Sequence, residues 1–404
     1  MFRPHWPAWP HRSEGLETVA KFLITGASGS IGGRLAEVLH GSGKHEILAV
    51  VGRAGSAGRA RLGRMGIPSV ALSMEDPEAW SKAAEGADYI IHCALDFGGS
   101  KDNQLERNRN VLQALTQEGV HSGAKRMVFF STATVLGYNL PPGPVSEDLP
   151  YDFGCSEYAT LKIALEKEAI AGMARLPMTI LRPTRVYGPR CTVWTSGPVA
   201  EVKSGSVVLV DGGAGRCNLT YIDNVVAAVF ACLASDKTRG EIFNISDEDS
   251  ISWSAFYGGL AEALPGAPSL LSISKEDLAR LPLPSVKHLG AAEKFFQAGK
   301  AGVRAGLGRF GSYYPELAKR GKQLLRRGRA PIRSSAAAPV AVDKALRIAA
   351  AWDRATRDNK IAMHTSQAEI SSRKLKEYSN YREVVGWDEG IDLTRAWLRC
   401  ANLV

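Results

Sequence analysis

Over residues 21 to about 185 the apolar positions switch repeatedly between two periods. Strand-length apolar runs stand at KFLITG, EILAVVG, ADYIIHCA, AKRMVFFST and MTILRPT. Between them, stretches such as SIGGRLAEVLH and NVLQALTQEG carry the helical pattern. Strands separated by helices of this length predict right-handed βαβ crossovers and a parallel sheet. Two later runs, SVVLVDG and EIFNIS, read as strands, and NVVAAVFACLA reads as a helix. Residues 265–284 are Pro/Leu-rich connections. From about 286 to 365 the texture turns to Ala, Gly, Lys and Arg, and from 366 it returns to an ordinary globular mixture. No internal repeat is present.

Composition changes this picture little, and charge changes it locally. A 404-residue chain that is 45% hydrophobic and 23% charged suits a soluble α/β protein of one large or two ordinary domains. No run reaches the roughly 18 uninterrupted apolar residues of a membrane span. MFRPHWPAWPHRSEG lacks an apolar signal-peptide core. The six cysteines are scattered without CxxC or zinc spacing, so they read as reduced thiols, and a cytoplasmic location is expected. The net charge of +9 comes from one segment. Twelve of the 50 bases but two of the 41 acids fall between residues 285 and 335, leaving 38 bases against 39 acids elsewhere. A nucleic-acid partner is therefore not expected.

The chemistry starts at TGASGSIG. After the strand FLIT, Gly26, Gly29 and Gly32 permit a tight turn, close approach of a pyrophosphate, and packing of the following helix on the strand. That helix offers its N-terminal N–H groups and partial positive charge to the phosphates. The second strand ends on Arg53, with no acid until Glu75. A base there suits the 2′-phosphate of NADP, which makes NADP the preferred cofactor and NAD the alternative.

In CSEYATLKIALEKEAI, Tyr158 and Lys162 stand one helical turn apart on one face. An ammonium near a phenol favours the phenolate and makes the tyrosine a usable proton donor or acceptor near neutral pH. FFSTATVLG places hydroxyls at the C-terminal end of a strand, where such sheets bind ligands. No metal is expected, and His92, on YIIHCA, reads as a core histidine. The chain has no Gly-x-Ser-x-Gly elbow and no P-loop ending.

In order, TGASGSIG, ADYIIHCA, FFSTATVLG, YATLK, LRPTRVYGP, RCNLTYIDNV and REVVGWDEGIDLTRAW resemble an extended short-chain dehydrogenase/reductase of the NAD(P)-dependent epimerase/dehydratase family. The resemblance implies a Rossmann doubly wound α/β sheet with a smaller C-terminal substrate lobe and a basic helical insertion. The implied division is an N-terminal extension (1–20), a dinucleotide domain (21–185), a substrate lobe (186–285 plus 366–404) and the insertion (286–365). It further implies catalysis by Tyr158, Lys162 and Thr132. Cofactor contacts would come from Gly26, Ser28, Gly29, Ser30, Ile31, Gly32, Arg53, Ala94, Tyr158, Lys162 and Pro183. Substrate contacts would come from Ser131, Arg185 and Arg216, the last either facing a substrate diphosphate or lying as a plain surface arginine.

Several positions depart from the family pattern. Arg185 replaces the Asn common in sugar-nucleotide epimerases, and Ser73 replaces an adenine-contacting Asp. Thr132 is followed by Ala133 and Thr134 rather than the Asp-Glu pair of 4,6-dehydratases, so dehydratase chemistry is not expected. The leading expectation is an oxidoreductase or epimerase acting on a sugar-like, nucleotide-linked alcohol or ketone. The alternatives are an NADPH-dependent ketone reductase of the hydroxysteroid or dihydroflavonol kind, and a non-enzymatic dinucleotide sensor or assembly protein. A homodimer is implied by the lookalikes.

The basic insertion places Phe295, Val303, Leu307 and Phe310 at roughly helical spacing among Lys294, Lys300, Arg304 and Arg309. Such a helix either packs on the protein's own lobe, docks through 286–333 on an anionic membrane surface as a peripheral contact, or lids an acidic substrate.

Overall fold

The computed structural model describes residues 18–98, 101–152, 154–283 and 337–404. The expected membrane-facing stretch, 286–333, lies outside the described residues. The centre of the molecule is a seven-stranded parallel sheet in the order β11-β7-β5-β4-β1-β2-β3. Its strands are β1 (Lys21–Thr25), β2 (Glu46–Val51), β3 (Ser69–Ala71), β4 (Tyr89–His92), β5 (Arg126–Phe130), β7 (Met178–Pro183) and β11 (Ile242–Ile245).

Alternation along β1 explains the two layers. Phe22 and Ile24 pack toward α1 (Ser30–Ser42) and α7 (Ile222–Ala234) in one core cluster. Leu23 faces the other way, into a second cluster with α3 (Pro77–Ala84), α4 (Lys101–His121) and α5 (Glu157–Gly172). The parallel sheet with βαβ crossovers expected from the strand and helix spacing is what forms, in the doubly wound Rossmann arrangement that the resemblance implied.

The strand order reverses between β1 and β4, where Thr25 lies opposite His92. Crossovers leave on opposite faces there and open the crevice in which such sheets hold ligands. Thr25 locks this point. Its Oγ1 accepts the N–H groups of Cys93 and Ala94, both at 3.1 Å, so its own hydrogen is left for Nδ1 of His92 at 2.9 Å. His92 is a buried core histidine, and burial pushes its pKa down to about 3.

Two parts of the chain sit differently from the division read off the sequence. Residues 222–245 leave the expected substrate lobe: α7 packs on the sheet beside α1, and β11 pairs with β7, extending the sheet. The all-round apolar character of α7, with ten buried residues, needs a sheet to cover it. Conversely, the end of the expected insertion joins the lobe. α10 (Ala337–Ala350) and the adjoining Trp352 bury Ala345, Ile348 and Ala349 against β9 (Val208–Val210) and β12 (Leu271–Ile273). α11 (Arg354–Thr365) follows, and its buried His364 accepts the backbone N–H of Val210 at 3.0 Å. No described helix is long and apolar enough to cross a membrane.

Candidate active site

The C-terminal ends of β1, β4, β5 and β7 open into one cleft of about 1090 Å³, and every site residue expected from the sequence lines it. The volume exceeds the upper end of a typical pocket for one small ligand, about 1,000 Å³. It has room for a dinucleotide and a second molecule.

At one end lies the glycine turn. Gly26 adopts φ +66°, and a Cβ there would lie 2.8 Å from the backbone of Cys93 and Ala94. Only glycine lets β1 turn this close to the strand beside it. Gly29 donates its N–H to the Gly26 carbonyl at 2.8 Å and begins α1 without a side-chain cap. The first-turn N–H groups, those of Ser30, Ile31 and Gly32, have no intrahelical acceptor and line the cleft. This uncapped, side-chain-poor helix start suits a pyrophosphate. The hydroxyl of Ser30 instead donates to the Arg190 carbonyl at 2.9 Å, tying the turn to the start of the lobe.

Two features of this end were not read from the sequence. Gly58, in α2 (Ala57–Arg64), packs so closely that a Cβ would meet Ser28 at 2.6 Å. Arg61, on the same helix, lines the cleft with Arg53 and reaches the buried Glu37 carboxylate at 3.2 Å. The Gly-rich, Arg-rich run RAGSAGRAR was the available signal.

The middle of the cleft carries the Tyr/Lys pair. Ser156 caps α5 by accepting the N–H of Ala159 at 3.1 Å, which starts the helix just before Tyr158. The Tyr158 ring lies 5.8 Å from that of Phe97, centroid to centroid. Phe97 belongs to the loop after β4, which Asn108 and Arg107 hold through Asp96. Lys162 is buried, and its Nζ donates to the Phe130 carbonyl at 2.6 Å. Burial pulls its pKa down to about 8. His92 beside it is neutral, and attraction to Cys93 and to Glu166, the latter paired with Arg182, offsets the burial only in part. Thr132 accepts the N–H of Thr134 at 3.2 Å and is buried, with its neighbour Ser131, at the end of β5. The Ser131 hydroxyl is buried and bonds to none of the described residues.

The far end is built by β8 (Arg185–Tyr187), Trp194, Arg216 and Asn218, and by Met363, Ser366 and Ile370 from the C-terminal part of the chain. Arg185 stands over the rings of Trp253 and Trp194, 4.7 and 5.4 Å from their centroids. Arg216 donates to Ser250 and the Glu248 carbonyl, each at 3.3 Å, while also lining the cleft. Trp194, Met363 and Ile370 were missed in the sequence, where nothing local marks them.

A glycine-turn Rossmann sheet with a tyrosine and a lysine one turn apart beside its crevice defines the class of short-chain dinucleotide enzymes. Residues 22–246 match the model of the NAD dependent epimerase/dehydratase family, and the chain belongs to that family. It is 32% identical over 257 residues to the UDP-N-acetyl-alpha-D-glucosaminuronate decarboxylase of Bacillus cytotoxicus, covering 57% of this chain and 76% of that one. It is 28% identical over 262 residues to the 2-alkyl-3-oxoalkanoate reductase of Stenotrophomonas maltophilia, covering 61% and 76%. The fold resembles that of UDP-glucuronic acid 4-epimerase from Bacillus cereus in complex with NAD, with a TM-score of 0.63, 17% identity and coverage of 94% and 99%. The chain is thus an NAD(P)-dependent enzyme of the extended short-chain type.

Proposed function

We propose that the enzyme moves a hydride between a nicotinamide ring and a hydroxyl or ketone carbon of a sugar-like substrate. The reading rests on the meeting of Tyr158, Lys162 and Thr132 with the glycine turn in one cleft. The first-turn N–H groups of α1 hold the pyrophosphate, and Lys162 steadies the nicotinamide ribose. When bound, the dinucleotide supplies the hydride acceptor or donor. Tyr158 exchanges the hydroxyl proton of the substrate, Thr132 fixes the reacting oxygen, and the Lys162 ammonium favours the phenolate. Tyr158→Phe is expected to lower turnover by about 10²–10⁴-fold. Wild-type turnover in that variant would remove the reading.

NADP is the preferred dinucleotide in this proposal. Arg53 and Arg61 both line the adenosine end of the cleft, and the Glu75 carboxylate there is engaged by Arg107 at 3.3 Å. Comparing the Kd values of NADP and NAD for wild type and Arg53→Ala tests this, with the NADP advantage expected to shrink in the variant.

A second reading, reduction of a ketone with an apolar body, is favoured by the wall of Leu140, Val193, Met363 and Ile370 around the substrate end. The two differ in what happens to the cofactor. An epimerase retains it through oxidation and reduction of one substrate, and a reductase releases it. Nicotinamide dinucleotide co-purifying with the protein supports the first; an empty site that NADPH saturates supports the second.

A further inference from the structure

The substrate end of the cleft holds a cation with no counter-charge among the described residues. Arg61, Arg107, Arg190 and Arg216, which also line the cleft, each have a carboxylate within 4 Å. Arg53 is exposed to water. Arg185 has neither compensation. It is half-buried, and no described carboxylate reaches it within ion-pair distance. Of its five N–H donors, one on Nη1 serves the Asn218 carbonyl at 3.3 Å. Its Nε is buried, and no described residue accepts from it.

A guanidinium cannot shed its proton to escape this situation. The faces of Trp253 and Trp194 return part of the lost hydration, since the ring quadrupole of an indole attracts a cation held over it. They supply no oxygen acceptor for the remaining N–H groups. His364, packed 5.0 Å from the Trp253 ring, is held neutral by its burial and adds no anion. A guanidinium edge binds a planar or tetrahedral oxyanion through two parallel hydrogen bonds.

We propose that Arg185 binds an oxyanion of the substrate, a carboxylate or a phosphate, and makes this cleft selective for acidic substrates. The proposal rests on the hydride-transfer reading only in taking this end of the cleft as the substrate's. The apolar wall beside Arg185 takes the uncharged part of the same molecule, and the indoles beneath the guanidinium fix its plane so that the oxyanion registers the reacting carbon.

Calorimetric titration of the NADP-saturated protein tests this with two matched pairs: uridine diphosphate against uridine, and 3-hydroxyoctanoate against its methyl ester. In at least one pair the acid is expected to bind about tenfold or more tightly than its neutral counterpart, the scale of one charge-assisted hydrogen bond. The pair that discriminates identifies phosphate or carboxylate as the source. Arg185→Gln should erase the difference, and Arg185→Lys, which restores charge without the fork, should recover part of it. Equal binding within both pairs in the wild type, or full discrimination surviving Arg185→Gln, would overturn the proposal. Tyr158→Phe separates the two ideas. Full turnover in that variant sinks the hydride-transfer reading and leaves the anion titration standing, whereas lost turnover without acid discrimination sinks only the role of Arg185.

Discussion

At the dinucleotide end the glycine turn of the cleft is formed by main chain packed against neighbouring strand ends, whereas the substrate end is walled by side chains from Leu140 to Ile370. The first surface is set by backbone spacing: Gly26 against Cys93 and Ala94, and Gly58 against Ser28. The second depends on rings and stems, with Arg185 over two indoles and Met363 and Ile370 brought in from the far end of the chain. Backbone surfaces tolerate almost no added atom, while side-chain surfaces can change specificity one residue at a time. That contrast makes graded predictions.

The largest effect is expected from Gly26→Ala. An alanine there takes a left-handed conformation, costing about 1–2 kcal/mol. Its Cβ also presses on the backbone at 2.8 Å. Overpacking of this kind costs about a further 1–3 kcal/mol. Dinucleotide affinity should fall by roughly 30-fold or more, with the thermal midpoint lowered as well. A Kd for NADP within twofold of wild type would refute a backbone-built cofactor end.

Lys162→Met comes next, at the seam between the two ends. Turnover should drop about 100-fold, while the protein without cofactor becomes more stable at pH 7 because a buried ammonium is removed. The pH dependence follows from burial lowering this lysine from near 10.5 to about 8. Between those values the unfolded chain holds a proton that the folded chain has released. Wild-type stability therefore rises with pH across the window, and the variant lacks that rise. The kcat/KM of the free enzyme should decline above about pH 8 as the ammonium is lost. Chemical denaturation and rate profiles from pH 7 to 10 measure both.

The same contrast explains what could be read in advance. Residues 26–32 and the Tyr158/Lys162 pair are contiguous or one helical turn apart, so their geometry follows from local spacing alone. The strands of the sheet announced themselves by apolar runs, except for β3, whose three half-buried residues carry too little pattern. Trp194, Met363 and Ile370 meet only through tertiary packing of segments more than 160 residues apart, and no spacing rule encodes that. EIFNIS was legible as a strand, but its place beside β7 in the main sheet was not. Pairing depends on how α7 returns across the sheet, which apolar character alone does not specify.

Trp194→Leu probes the side-chain end and should be milder. Losing one indole from beneath Arg185 removes a cation–π contact and should raise the substrate KM about three- to tenfold, leaving the Kd for NADP unchanged. A comparable loss of NADP affinity would mean that the two ends are not separable surfaces.

The smallest effect sets a matched pair of histidines against each other. Each end has a buried neutral imidazole whose Nδ1 accepts: His92 from Thr25, and His364 from the Val210 N–H. Burial lowers both below the ordinary 6.5, His92 to about 3. As pH falls below 6.5 the unfolded chain gains these protons and the folded chain does not, so stability drops by about 1.4 kcal/mol per pH unit for each histidine. His92→Asn and His364→Asn keep an acceptor near the Nδ1 position and should each remove one such slope between pH 6 and 4. Protonating His92 would set a donor against a Thr25 hydroxyl already accepting two backbone N–H groups, so acid should loosen the loop after β4 together with NADP binding. Protonating His364 disturbs Val210 and the substrate end instead. Denaturation curves and NADP titrations at pH 6, 5 and 4 distinguish these. Loss of NADP affinity that His92→Asn leaves unchanged and His364→Asn abolishes would reverse the assignment of the two ends.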